Sequence, residues 1–98
     1  MINRIVKMTF DNEGVEPFVN NFNKVKSQIR GFNGCEHLQL WRDVNEPNTY
    51  FTYSKWQSES HLNAYRDSVL FKETWKFTKA LFSAKPMAWS VEQMEILE

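Results

Sequence analysis

Two short runs of alternating side chains, joined by a turn, lie in the middle of the chain and restrict it to a few folds. In the first run, GCEHLQLWRD, alternation places Leu38 and Leu40 on one face. The opposite face carries His37, Gln39 and Trp41. The turn residues VNEPN follow, and TYFTYSKW is a second run rich in β-forming residues. The two runs predict a β-hairpin.

Before this hairpin, the sequence predicts one strand and one helix. Residues 2–10 alternate, and one face carries four apolar side chains, those of Ile2, Val6, Met8 and Phe10. Pro17 fits the first turn of a helix that begins near Gly14, because an N–H there has no helical partner to lose. Apolar residues then recur at helical spacing up to Ile29, and Gly31 is suited to follow the last turn.

After the hairpin, the sequence predicts an interrupted helix and a last strand. Ser58 is suited to begin a helix over SESHLNAYRDS, and Asp67 and Ser68 interrupt it. Helical spacing resumes in VLFKETWKFTKALF, and we expect Pro86 to close this second part. The segment MAWSVEQMEI predicts the last strand.

The order β-α-β-β-α(α)-β is typical of an α+β domain with the ferredoxin-like βαββαβ arrangement, in which helices cover one face of an antiparallel four-stranded sheet. A chain of 98 residues suits one domain, so we expect residues 1–98 to form it. The other sheet face would carry His37 and Trp41, with Trp89 from the last strand. Such a ring-rich, half-polar face suits pairing with another sheet better than contact with water, so we predict a homodimer.

Composition excludes several functional classes. The formal net charge is zero and the basic residues do not cluster, so a nucleic-acid partner is not expected. No apolar run approaches the ~20 residues of a membrane span and no signal-peptide pattern is present, so we expect no membrane partner. Cys35 has no second cysteine to pair with, which favours a reducing, cytoplasmic setting. One cysteine and two histidines are too few for a typical metal site.

A longer pattern resembles a known family. The series runs from the GC pair that opens the second strand, through a third strand ending in Trp56, to the Ser-x-Ser helix start at Ser58. An aromatic residue follows further along that helix, and a Ser-x-x-Phe step at Ser68 leads into the next. Together with the opening RIVKMTF, this series resembles the antibiotic biosynthesis monooxygenase (ABM) family. The resemblance covers nearly the whole chain and implies a dimeric α/β barrel.

The resemblance also implies where a pocket lies, namely between the sheet and the helices. In the heme-degrading branch of the family, an Asn on the first strand, a Trp on the helix after the third strand and a His ten residues later form the site. By local spacing, Tyr65 stands at that Trp position and Trp75 at that His position. The first-strand match falls near Ile5, with Asn3 on the same face. The iron-binding His is therefore absent, and no cofactor is expected.

Each candidate site residue has a functional and a structural interpretation. His61 is a candidate general acid or base, or an exposed histidine in a first helical turn. His37 is a candidate substrate contact, or a hydrogen-bonding group on the dimer face. Trp56, Tyr65 and Trp75 form either an aromatic pocket for a planar ligand or plain helix-to-sheet core.

The functional prediction depends on the high content of aromatic residues. Eight Phe, four Trp and three Tyr make 15% of the chain, which requires a large core, a pocket or a partner surface. We expect Tyr65 and His61 to be catalytic, and Trp56, Trp75, His37 and Met8 to contact substrate. A bend at Asp67 and Ser68 would let the Tyr65 and Trp75 rings turn towards one gap.

The resemblance implies a cofactor-independent monooxygenase that acts on a small aromatic, quinol-like compound. The alternative is a non-catalytic small-ligand binding or stress-response domain on the same fold. A buried ionisable group that faces the cavity would distinguish the two.

Overall fold

The computed structural model describes all 98 residues, and their order of elements matches the predicted one. A short 3-10 turn at Asn12–Gly14 precedes the first helix. The strands and helices, in chain order, are β1 (Ile2–Thr9), α1 (Val15–Arg30), β2 (Cys35–Arg42), β3 (Thr49–Trp56), α2 (Glu59–Arg66), α3 (Val69–Lys79) and β4 (Met87–Val91). None of the helices combines the length and the apolar character needed to cross a membrane.

The four strands form one antiparallel sheet in the order β2-β3-β1-β4. The hairpin of β2 and β3 is confirmed, and β1 enters between β3 and β4, as the ferredoxin-like arrangement requires. Across the middle of the sheet, Ile5 lies opposite both Tyr53 and Trp89. The helices lie on the face to which Met8 and Tyr50 point, so the sheet has one covered and one open face.

The core between sheet and helices consists of two clusters. In the first, Phe10 stacks on Phe18 of α1 with ring centroids 4.4 Å apart, and Tyr50 packs beside both rings. The second cluster joins Trp56 at the end of β3 to Leu62 of α2. Apolar area is therefore buried against the helices at both ends of the sheet.

The predicted interruption at Asp67 and Ser68 separates two distinct helices. Ser58 caps α2, since its hydroxyl accepts a hydrogen bond from the His61 backbone N–H. Ser68 caps α3 in the same way, through the N–H of Phe71. A serine in extended conformation at each start satisfies an N–H that no helical carbonyl can reach, which makes the break stable.

Helix α3 is shorter than predicted, because it ends at Lys79 and not beside Pro86. Beyond Lys79 the chain returns to the end of β1. Phe82 forms a β-bridge with Phe10, and the Ser83 N–H donates to the Thr9 carbonyl. The helical spacing of Leu81 and Phe82 therefore reflects side-chain burial in a different backbone conformation, which periodicity alone does not distinguish.

The last strand is also shorter than predicted. β4 ends at Val91, and residues 92–98 are not part of the sheet. Val91 lies opposite Asn3, next to the first residue of β1. Beyond that point no partner strand remains to satisfy the backbone N–H and C=O groups of β4, so pairing stops.

The entry into β2 depends on the backbone of Gly34. This residue has a φ of +90°, a region that other residues rarely adopt, and a β-carbon there would collide with the ring of His61. A bulge between Cys35 and His37 follows, and it turns the Cys35 side chain into the core. The backbone conformation and the nearby His61 ring therefore explain why the GC pair begins with glycine.

We expect Gly34→Ala to lower the free energy of unfolding by about 2 kcal/mol or more, since it adds both strain and a collision with His61. Gly31→Ala is the matched control, because Gly31 has a φ of −82° and its backbone suits any residue. Chemical denaturation of both variants measures the difference. Equal stability of the two variants would contradict the role of Gly34.

Candidate functional site

A cavity of about 280 Å³ lies between the sheet and the three helices. This volume is near the lower end of ordinary small-molecule sites. The sheet contributes its floor, formed by Arg4, Val6, Met8, Leu38, Thr52, Ser54, Trp56 and Ala88. The helices contribute its roof, formed by Phe18, Phe22, Ile29, Leu62, Tyr65, Arg66, Phe71, Thr74, Trp75 and Thr78. Most of these side chains are hydrophobic, so the cavity favours an apolar ligand.

The cavity exists because small side chains meet at the middle of the floor. Val6 of β1 lies between Thr52 of β3 and Ala88 of β4 in the register of the sheet. Neither of these two neighbours is long enough to reach the helices. The aromatic rings around these small side chains keep the helices at a distance from the sheet. The space between the small side chains and the helices is therefore unfilled.

One wall is a continuous series of aromatic rings. Trp56 stacks on Tyr65 with centroids 4.8 Å apart, and Tyr65 meets the edge of Phe71 at 5.2 Å. Phe71 in turn lies parallel to Trp75 at 5.9 Å, with an interplanar angle of 9°. Tyr65 and Trp75 both line the cavity, but the ring of Phe71 stands between them and replaces the open gap expected from the sequence.

Trp56 anchors this wall. Its side chain has 0% exposure, and its indole N–H donates to Ser54 Oγ at 2.9 Å. Ser54 is itself buried, so the hydrogen bond satisfies two polar groups that water does not reach. The ring is therefore both core and cavity wall.

Tyr65 is the tyrosine of this aromatic wall. The hydrogen bond at this residue involves its backbone carbonyl, which accepts from Ser68 Oγ, and the phenol is left without a protein partner. Burial raises the pKa of Tyr65 well above its ordinary value of 10.0, and neighbouring Cys35 acts in the same direction. Near neutral pH the phenol therefore keeps its proton and is suited to donate a hydrogen bond.

His61 lies outside the cavity lining. Its Nδ1 atom is 2.7 Å from Ser58 Oγ, and its ring rests against the backbone of Gly34. The geometry gives His61 a packing and capping role at the start of α2.

His37 lies on the open face of the sheet, away from the cavity. Its Nε2 atom is 2.6 Å from Gln39 Nε2, and Trp41 Nε1 donates to the other amide atom, Gln39 Oε1, at 2.6 Å. The His37 ring also meets Tyr53 edge-on at 5.7 Å. These side chains form a polar strip on the open face.

The first strand presents Arg4 to the cavity, whereas Asn3 and Ile5 point to the open face. Sequence reasoning missed Arg4, although alternation from Met8 through Val6 places it on the inner face. It also missed Arg66, the last residue of α2. The ionisable side chains of the lining are Arg4, Tyr65 and Arg66. No group of three or more His, Cys, Asp and Glu side chains that could hold a metal ion is present.

Tyr65 should make the protein sensitive to alkali. Its pKa is raised in the folded state, so the unfolded chain loses this proton first, and stability falls as pH rises above about 10. The Tyr65→Phe variant lacks this contribution. We expect the free energy of unfolding of the parent to fall more steeply, by up to about 1.4 kcal/mol per pH unit, in denaturant titrations between about pH 9 and 11. Parallel pH dependence of the two proteins would show that the phenol ionises freely in the folded state.

Structural comparison identifies similar folds at low sequence identity. A crystal structure described as an antibiotic biosynthesis monooxygenase matches with a TM-score of 0.90 and 13% identity, covering 97% of this chain and 100% of the other. A conserved protein from Methanosarcina mazei Go1 matches with a TM-score of 0.89 and 17% identity, covering 94% and 91%. A protein from Pseudomonas aeruginosa matches with a TM-score of 0.84 and 14% identity, covering 96% and 94%. At these identities the likeness establishes the fold alone.

Sequence comparison identifies the family. No curated protein sequence matches the chain. The sequence model described as antibiotic biosynthesis monooxygenase matches residues 1–76, which include β1, the hairpin, α2 and most of α3. The chain therefore belongs to the antibiotic biosynthesis monooxygenase family.

Proposed function

We propose that the protein is a cofactor-independent monooxygenase that oxidises a small aromatic, quinol-like compound to a quinone. The observation that carries this proposal is the apolar cavity, whose aromatic wall includes a Tyr65 hydroxyl without a protein partner. Family membership supports oxygen chemistry, and the volume of about 280 Å³ suits roughly one or two fused rings.

The reaction consumes one O₂ for each ring oxidised. A ring C–H para to a hydroxyl becomes C=O, the hydroxyl becomes the second C=O, and the other oxygen atom leaves as water. The ionised substrate passes an electron to O₂, the two radicals combine at carbon, and loss of water from the resulting peroxide gives the quinone. The substrate supplies all the electrons, so the protein needs to bind, orient and shield it.

The cavity residues have distinct roles in this reaction. Phe71 and Trp75 present parallel ring faces and edges for stacking against a planar substrate. Met8 and Val6 make the floor apolar, which excludes water from the radical pair. The Tyr65 hydroxyl donates a hydrogen bond to an oxyanion of the substrate, and its raised pKa keeps that proton in place.

The lining contains no carboxylate and no imidazole. The substrate proton must therefore leave to solvent, which suits a compound acidic enough to ionise on its own. The same observation favours a second candidate function, a binding domain that holds an aromatic ligand without turnover, since such a domain needs no proton acceptor.

Oxygen uptake separates the two functions. With 1-naphthols whose carbon para to the hydroxyl carries hydrogen, we expect uptake of one O₂ per quinone formed, with one atom of labelled O₂ in the product. Tyr65→Phe should lower kcat by about a hundredfold, as expected for loss of an oxyanion donor. Phe77→Ala is a control, because Phe77 is exposed on α3 and does not line the cavity. Ligand binding without oxygen uptake would contradict the monooxygenase and support the binding domain.

The open sheet face supports a homodimer. Four of its large apolar side chains are exposed, those of Trp41, Met87, Trp89 and Val91. Tyr53 lies at its centre, stacked on Trp41 at 5.1 Å and donating its hydroxyl proton to Asn3 Oδ1 at 3.0 Å. We propose that two copies pair these faces, burying more than about 1,000 Å² in all, within the reducing cytoplasm that suits the free thiol of Cys35.

Sedimentation equilibrium at micromolar concentration should give about twice the 11.7 kDa mass of one chain. Trp89→Glu places a charge within the proposed interface and should weaken association at least about tenfold. Val69→Glu is the control, because Val69 is an exposed apolar residue on α3, away from the sheet face. A parent protein of single-chain mass would overturn the dimer.

A further inference from the structure

One end of the cavity carries positive charge. Arg4 lies on the floor between Ser54 of β3 and Ser90 of β4, in the register row next to Val6. Its guanidinium donates to Ser90 Oγ at 3.0 Å, which uses one of its several N–H donors. Arg66, in the last turn of α2, lines the same cavity.

Both arginines line the same cavity, and its lining contains no carboxylate. Burial lowers the pKa of Arg4, and the positive charge of Arg66 lowers it further, with no carboxylate contributing. Two like charges beside an apolar cavity repel each other, and a bound anion between them would relieve this repulsion. The hydrogen bond to Ser90 fixes the guanidinium of Arg4 but leaves its charge unneutralised.

The cavity has an apolar part beside its charged end. On the floor, Arg4 and its neighbour Ser54 are polar, and two residues further along the strands the floor consists of Thr52, Val6 and Ala88. Trp75 and Val6 both pack against the core cluster that contains Met8, so Trp75 lies with the apolar part, and Phe71 stacks on Trp75. A ligand that satisfies both parts has a planar ring at one end and an oxyanion at the other.

We propose that Arg4 and Arg66 form an anion subsite, and that the cavity selects aromatic compounds carrying a planar oxyanion, either a carboxylate or an ionised ring hydroxyl. Guanidinium groups bind such oxyanions through paired N–H donors. This inference rests on the cavity being the ligand site, as in the proposed function. It adds the ligand's charge, and it explains how a cavity without a base holds its substrate ionised: positive charge stabilises the anion and lowers the substrate's own pKa.

Matched ligand pairs test the subsite by calorimetry. Naphthoate is compared with neutral naphthamide, and hydroxynaphthoquinone, ionised at neutral pH, is compared with its methyl ether. We expect each anion to bind at least about tenfold tighter than its neutral partner, with the preference falling at high salt. The first pair measures the preference for a carboxylate, and the second measures the preference for an ionised ring hydroxyl. The pair with the larger preference shows which of the two anions the subsite favours.

Three variants of Arg4 and Arg66, with one control variant, test whether these arginines cause the preference for the anion. Arg66→Gln, on an exposed side chain, and Arg4→Gln should each reduce the preference for the anion severalfold, because each weakens binding of the anion more than binding of its neutral partner. Arg42→Gln is the matched control, since Arg42 is exposed at the end of β2 and does not line the cavity. Arg4→Lys should retain part of the preference, because it keeps the charge but loses the planar pair of donors.

Equal affinity for anion and neutral partner would overturn the subsite, as would a preference that survives both glutamine variants. Absence of binding by all four compounds would overturn it too. The monooxygenase proposal is tested separately, by oxygen uptake with naphthols. Oxygen uptake without an anion preference would contradict the subsite alone. An anion preference without oxygen uptake would contradict the monooxygenase alone.

Discussion

The buried ring of Trp56 connects three strands of the sheet to α2 beside the cavity. It ends β3, lies opposite Ile2 of β1 in the sheet register, and shares a core cluster with Cys35 and Leu62. Its indole N–H is satisfied by Ser54, and its face carries Tyr65. Because one residue links three strands to α2, the position of the Tyr65 hydroxyl follows from the packing of the core.

The strict alternation of the strands gives the two sheet faces different properties. On β1, Arg4, Val6 and Met8 face the helices and form the cavity floor, while Asn3 and Ile5 belong to the open face. A shift of one residue would exchange these sets and place the arginine among the exposed rings. The site and the proposed dimer face are therefore linked through the same register, although they lie on opposite sides.

The separation of charge from aromatic surface within the cavity is the main functional feature. An apolar cavity strengthens electrostatic interactions, so a guanidinium at its edge affects a bound anion more than one in water would. Tyr65, kept protonated by burial, supplies a neutral donor in the same space. In the proposed site these groups stabilise the negative charge of the ligand, and the lining contains no imidazole and no carboxylate.

The sequence by itself determined the order of the elements, the hairpin and the Ser58 and Ser68 helix starts, because each depends on local periodicity or on one capping side chain. It did not determine where α3 and β4 end, since those limits depend on distant partners in β1. Nor did it separate His61 and His37 from the cavity. The tertiary structure decided that, and it joined Arg4 to Arg66, residues far apart in sequence. Alternation assigns a side chain to a face, but only the packing of α2 and α3 against the sheet decides which side chains on that face share one enclosed space.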